Sequence, residues 1–138
     1  MTDDIADGNE GSSSSTLSPR QSDFDAPPIS QDNVFDALAS KRSRYVLVAL
    51  READDLLEIP ELVDLVASWE TGKPIALVSE EHRKRVVTSL RHSQLPKLGM
   101  MGLVEYDEAE SLVARGPHAE QADAYLDIAV SRDENVEV

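Results

Sequence analysis

Between His82 and Val104 the chain reads HRKRVVTSLRHSQLPKLGMMGLV, and two kinds of side chain in it could do chemistry. Five are cations: Arg83, Lys84, Arg85, Arg91 and Lys97. Four are short polar groups: Thr88, Ser89, His92 and Ser93. Cations at this density suit phosphates, and short donors and acceptors on a helical face suit base edges in a major groove. The rest of the chain makes the concentration unusual, because 27 acidic residues against 13 basic ones give a net charge of -14. Nine of the 13 cations fall in two net-positive segments, 79–100 and 31–51, and the second carries Lys41, Arg42, Arg44 and Arg51. A charged helix face is commonly only solvated surface, but against an anionic background a cationic one points more strongly to a ligand.

Other chemistries find little support. His82, His92 and His118 do not pair at metal-ligand spacing, and the absence of cysteine removes thiolate sites, disulfides and a thiol nucleophile. Asp54, Asp55 and Glu58 are acidic neighbours without the glycine and ligand spacing of a calcium loop. There is no glycine-rich phosphate loop, and the serines and His92 around position 90 have no evident base orienter or oxyanion pocket. We therefore expect no enzyme, no catalytic residue, no metal and no cofactor.

The acidic excess carries its own implication. Like charges at this density repel at low salt, and at 1 M salt screening shortens their reach to about 3 Å. The composition thus suggests a salt-rich cytoplasm of the kind halophilic archaea maintain. The opening MTDDIADGNE is acidic and lacks a signal-peptide layout, and no run of about 18 apolar residues occurs. A cytoplasmic protein with no membrane segment is expected.

The elements that must position the cations can be read from periodicity. Residues 1–30, with GSSSST and DAPP and almost no apolar pattern, read as a disordered acidic tail. Val34, Phe35 and Leu38 make a first short helical face. Ser40 then caps a second helix in which Val46, Leu47, Ala49 and Leu50 recur. Leu57 to Ile59 suggests a brief strand, Pro60 suits the first position of a helix, and Leu62, Leu65, Val66 and Trp69 give that helix a face ending at Gly72 and Pro74.

Ser79 caps the cationic helix, with Glu80 and Glu81 in its first turn. Val87, Leu90, Leu95, Leu98 and Met101 fill one apolar arc, and Arg85, Thr88, Ser89, His92 and Ser93 lie opposite with Lys97 at the flank. Arg83 and Lys84 fall nearer the core side of the wheel. Pro96 predicts a kink or break between about His92 and Leu95. Two strands, Leu103 to Tyr106 and Ser111 to Arg115, form a hairpin across an acidic turn, and Ala122, Tyr125, Leu126 and Ala129 mark a last helix. The fold class is mainly α with a small β-hairpin (α+β), in the element order of a winged helix-turn-helix.

The segment TSLRHSQLPKLGMMGLVEYDEAESLVARG resembles the recognition helix and wing of ArsR-type and MarR-type winged-helix regulators. Taken with VFDALASKRSRYVLVAL, ELVDLVASWE and ADAYLDIA, the span from about 31 to 130 resembles small haloarchaeal winged-helix domains of largely unknown function. Its most specific part is Leu95, Pro96, Lys97 and Leu98. The resemblance implies a DNA-binding fold and a transcriptional regulator of double-stranded DNA, and the two cationic segments with the outward helix face give Lys41, Arg42, Arg44, Arg83, Lys84, Arg85, Thr88, Ser89, Arg91, His92, Ser93 and Lys97 as the expected DNA-facing set. Three departures accompany it: the connector TGKPIALVS is longer than a tight turn, the wing tip carries Asp107, Glu108 and Glu110 where cations are usual, and thiolate metal sensing is excluded.

The expected organisation is a tail over 1–30, a winged helix-turn-helix over 31–117, a helix over 118–131 and a flexible tail over 132–138. The last helix could pair two copies through Tyr125, Leu126 and Ala129, making a homodimer that reads two half-sites. The alternative is an adaptor that keeps this fold and binds protein instead of DNA.

Overall fold

In the computed structural model, residues 29–53 and 56–136 are described. Helices α1 (Gln31–Leu38) and α2 (Lys41–Ala53) lead through strand β1 (Leu56–Glu58) into α3 (Ile59–Thr71). A single 3₁₀ turn, Ile75–Leu77, joins α3 to α4 (Glu80–Ser89). A π-helical turn over Leu90–Gln94 links α4 to α5 (Leu95–Met100), followed by β2 (Val104–Asp107), β3 (Leu112–Arg115) and α6 (Ala119–Val136). The expected acidic tail lies, but for its last two residues, outside the described residues.

Local chemistry fixes the boundaries. Ser30, Ser40 and Ser79 each accept a hydrogen bond on Oγ from the backbone N–H three residues on, at 3.1, 3.2 and 3.0 Å. Glu61 Oε1 accepts from the Glu58 N–H at 3.0 Å, closing the start of α3, in which Pro60 is the second residue. α3 stops at Gly72, which takes φ 70°. α5 ends in a Schellman turn: Leu103 N–H reaches Leu98 O at 3.0 Å, and Gly102, at φ 78°, reaches Gly99 O at 3.0 Å. A side chain at Gly102 would be strained by that φ and would also meet the His118 ring at 2.5 Å.

The sheet is antiparallel in the order β1-β3-β2. Leu57 faces Val113 in one pairing, and Tyr106 faces Val113 in the other. The hairpin expected from sequence therefore gains a third strand, the short β1, along the outer side of β3. Asp107 Oδ1 accepts from the Glu110 N–H at 3.1 Å in the turn, and Ser111 adopts φ 59° before β3 begins. The Ser111 carbonyl then accepts the Ile59 N–H at 2.9 Å, so the hairpin and the start of α3 are held together.

One core serves all these elements. Val34 of α1, Val46 and Leu50 of α2, Leu62 and Val66 of α3, Val86 of α4, Leu90 of the π-helical turn, and Leu126 of α6 are at most 1% exposed. Each such aliphatic side chain contributes about 1.5–3 kcal/mol by leaving water. Gln121 pins the start of the described chain to α6, donating from Nε2 to Ile29 O at 2.8 Å and accepting the Ile29 N–H at 3.1 Å.

α6 departs from the expected organisation. It runs to Val136, past the expected end at 131, and residues 137–138 of the expected tail lie outside the described residues. The physical cause is Asp133, whose carboxylate takes both Nε and Nη2 of Arg44 at 2.8 Å and ties the last turns of α6 to α2. Among the described residues, no helix is long and apolar enough to cross a membrane.

Candidate nucleic-acid interface

The helix carrying the five cations owes its shape to Pro96. Proline has no N–H to give and its ring crowds the carbonyl one turn back, so a regular α-helix cannot pass through it unstrained. The chain widens into a π-helical turn just before Pro96, at the place where sequence predicts a kink, and the Leu95 N–H bonds Leu90 O, five residues back. Ser89 Oγ, 2.6 Å from Gln94 Oε1, closes the turn on one side.

This turn also sets the phase of the two halves. Leu90 and Leu95 are five residues apart, yet both are fully buried, as are Val86 before the turn and Leu98 after it. A uniform helical wheel instead centres the arc on Val87, which is only half-buried, and leaves out Val86. Opposite this core face, Lys84, Thr88, His92, Pro96 and Met100 are exposed at four-residue intervals, with Arg85, Ser93 and Lys97 beside them. At 1.5 Å per residue the stripe is about 24 Å long.

The expected site residues divide by what they touch. Lys84 has no hydrogen-bond or ion-pair partner among the described residues, and Arg85 has a single contact, Nη2 at 3.5 Å from His82 Nδ1. Thr88, His92 and Ser93 are open to solvent. Lys97 meets Asp36 at 3.1 Å, but both side chains are about half-exposed, and a pair of that kind is worth little and is easily exchanged.

Four residues named from sequence are engaged elsewhere. Arg83 is half-buried, ion-paired with Asp64 of α3, and donates from Nη2 to Ile75 O at 2.9 Å, so it ties α4 to α3 and the connector. Ser89 serves the π-helical turn. Arg42 forms a two-point ion pair with Glu70, and Arg44 is held by Asp133 and by Leu38 O at 2.5 Å. These guanidinium groups are spent on the fold because acidic partners from distant elements reach them. Arg91, half-buried, turns toward the hairpin, with Nη atoms 3.5 Å from Tyr106 Oη and 3.3 Å from Ser111 Oγ, neither of which cancels its charge. Lys41 is exposed, with Nζ 5.9 Å from the centre of the Tyr45 ring.

Glu70 is a node that sequence reading did not single out. Arg42 binds it from α2, and His82 Nε2 lies 3.0 Å from Oε1 on the α4 side. Burial alone would raise its carboxyl, but the hydrogen bonds and charges of Arg42 and then His82 outweigh burial, and its pKa lies below the ordinary 4.5. No spacing in the sequence relates positions 42, 70 and 82; only the packing of three helices does.

Of the residues named for dimerisation, Leu126 is 1% exposed and belongs to the domain's own core, so it has no surface to offer a second copy. Tyr125 packs edge-on against Phe35 with ring centres 5.3 Å apart and accepts from Gln31 Nε2 at 2.9 Å. Ala129 is half-exposed. Among the described residues, no three His, Asp or Glu side chains gather to hold a metal ion.

A family model described as a domain of unknown function, DUF7344, matches residues 35–114, more than half of the chain. The chain belongs to the DUF7344 family. The DUF7344 span opens at Phe35 in α1 and closes at Ala114 in β3, so it holds the whole cationic stripe and all of the sheet but Arg115, while α6 lies beyond it. No curated protein and no solved structure matches the chain significantly. The arrangement inside the DUF7344 span can offer a linear polyanion cations near both ends of one helix face and short polar groups between them.

Proposed function

We propose that the chain is a winged helix-turn-helix protein that binds double-stranded DNA, with α4 and α5 as the recognition element and the β2–β3 hairpin as the wing, and that it serves as a transcriptional regulator. The supporting observation is the exposed stripe. Lys84 and Arg85 stand at its start without a carboxylate partner among the described residues, and Thr88, His92 and Ser93 occupy its middle. Lys97 lies toward its end in a weak, exposed pair. Cations at both ends would hold phosphates on either side of a major groove about 12 Å wide, and the central groups would meet base edges. Among the cations, Lys84, Arg85 and Lys97 carry the phosphate contacts. Arg91 supports the hairpin, and Arg42, Arg44 and Arg83 hold the fold.

The test is fluorescence anisotropy with labelled duplexes enriched from a random pool. Binding should weaken with salt, and neutralising Lys84 and Arg85 together should flatten the slope of log K against log salt by about 2. Absence of any duplex binding from low to molar KCl would refute the reading.

The exposed acids of the hairpin favour one second reading. Glu108 and Glu110 are exposed at its tip, where a wing entering DNA would carry cations. An adaptor that binds protein through the same stripe would show partner capture sensitive to Lys84 and Arg85, with no duplex affinity to lose.

A further inference from the structure

On another flank, α2, α3 and α6 surround a half-open cleft of about 340 Å³ that shares no residue with the exposed stripe. Its walls are Tyr45 and Val48 of α2, Trp69 of α3 and Val130 of α6, all partly buried against the core. The two rings lie 5.5 Å apart, inclined at 49°. The volume falls at the small end of the range for sites that take small molecules.

The charged groups lining the cleft leave one carboxylate in excess. Arg44 lines it, but its guanidinium is cancelled by Asp133 and further engaged by Leu38 O. Glu52 also lines it, is exposed, and makes no hydrogen bond or ion pair among the described residues. An aromatic face attracts cations through its quadrupole, and an uncompensated carboxylate beside it pulls in the same direction. The Lys41 ammonium 5.9 Å from the Tyr45 ring centre shows this preference already in use within the chain, and Lys41 itself is outside the cleft lining. A bare metal ion would need several oxygen or nitrogen ligands, which the lining does not gather. An alkylated cation sheds water more readily and gains contact with the apolar walls.

We propose that this cleft binds a small organic cation of the quaternary or alkylated ammonium class, its apolar substituents against Tyr45, Val48, Trp69 and Val130 and its charge toward Glu52. Trp69 is the single tryptophan of the chain, so its emission reports directly on the cleft. Choline chloride is titrated into the full chain at fixed ionic strength, with 3,3-dimethylbutan-1-ol as the neutral molecule of the same shape. A saturable change in Trp69 emission is expected with choline, about tenfold weaker binding of the neutral alcohol, and about fivefold weaker choline binding in both Glu52→Gln and Tyr45→Leu. A thermal melt checks that each variant folds; Glu52 is exposed, so Glu52→Gln keeps the test decisive should Tyr45→Leu unfold. No saturation with choline, equal response to the two molecules, or unchanged choline affinity in folded Glu52→Gln would overturn the proposal.

Discussion

α2 and α4 are the two cationic helices of an acidic chain, and they spend their charge differently. On α2, Arg42 is bound to Glu70, Arg44 to Asp133, and Arg51 to Asp127 at 2.9 Å with Asp123 at 3.7 Å. On α4, Arg83 is spent in the same way, but Lys84 and Arg85 remain on the open face. The difference lies in what packs alongside. α2 runs between α3 and α6, both of which carry carboxylates toward it, whereas the outer side of α4 and α5 meets solvent. A positive segment in a sequence is therefore not yet a positive surface; its neighbours decide how much of it survives.

The sharpest way to break this contrast is charge reversal on one helix at a time. Lys84→Glu with Arg85→Glu should lower duplex affinity by about 100-fold and leave the melting temperature nearly unchanged, since two phosphate contacts are lost and replaced by repulsion while neither side chain supports the fold. Anisotropy and calorimetry on the same sample read both. Equal loss of affinity from a folded Arg42→Gln variant would erase the distinction between the helices.

The reciprocal change acts on stability. Arg44→Gln should destabilise the domain by about 2 kcal/mol, because it leaves Asp133 and the Leu38 carbonyl partly buried without a donor, and duplex affinity should hold. Asp133→Asn should cost a similar amount, and the double variant less than the sum of the two, as measured by denaturant unfolding.

Glu70 refines the comparison through pH. Its carboxyl is held below 4.5 in the folded state, so the stability it adds is present above that value and fades as pH falls through the lower folded pKa. Unfolding curves between about pH 6 and pH 3 should show this loss, and Glu70→Gln should be less stable at neutral pH with a flatter acid limb. A Gln variant with the wild-type acid profile would remove Glu70 from that role.

The smallest effect is expected at Lys97. Lys97→Ala should change stability by less than about 0.5 kcal/mol, since its pair with Asp36 is exposed on both sides, while duplex binding weakens by a few-fold. A large loss of stability there would mean that the pair holds α1 to α5.

Much of the scaffold was legible. The serine caps at 40 and 79, the stop at Gly72, the disturbance ahead of Pro96 and the two strands of the hairpin are local matters of hydrogen-bond supply and backbone freedom, and the chain declares them within a few residues. Less legible was the phase of the cationic helix. A uniform 100° wheel cannot anticipate that an extra residue in the π-helical turn rotates one half against the other, burying Val86 and half-exposing Val87. The pairing of β1 with β3 was missed for a similar reason, as three residues declare a strand too weakly to name its partner.

Sequence alone determined which residues are charged, where several helices are capped or stopped, and that positive charge collects in two segments of an anionic chain, because each follows from composition or from neighbours along the backbone. Tertiary structure decided which of those charges face outward. Asp64, Glu70 and Asp133 lie between 19 and 89 residues from the arginines they bind, and only packing the helices on one core brings them within hydrogen-bonding reach. Ion pairing acts over a few ångströms of space and is indifferent to distance along the chain, so charge in the sequence and charge at the surface are different quantities.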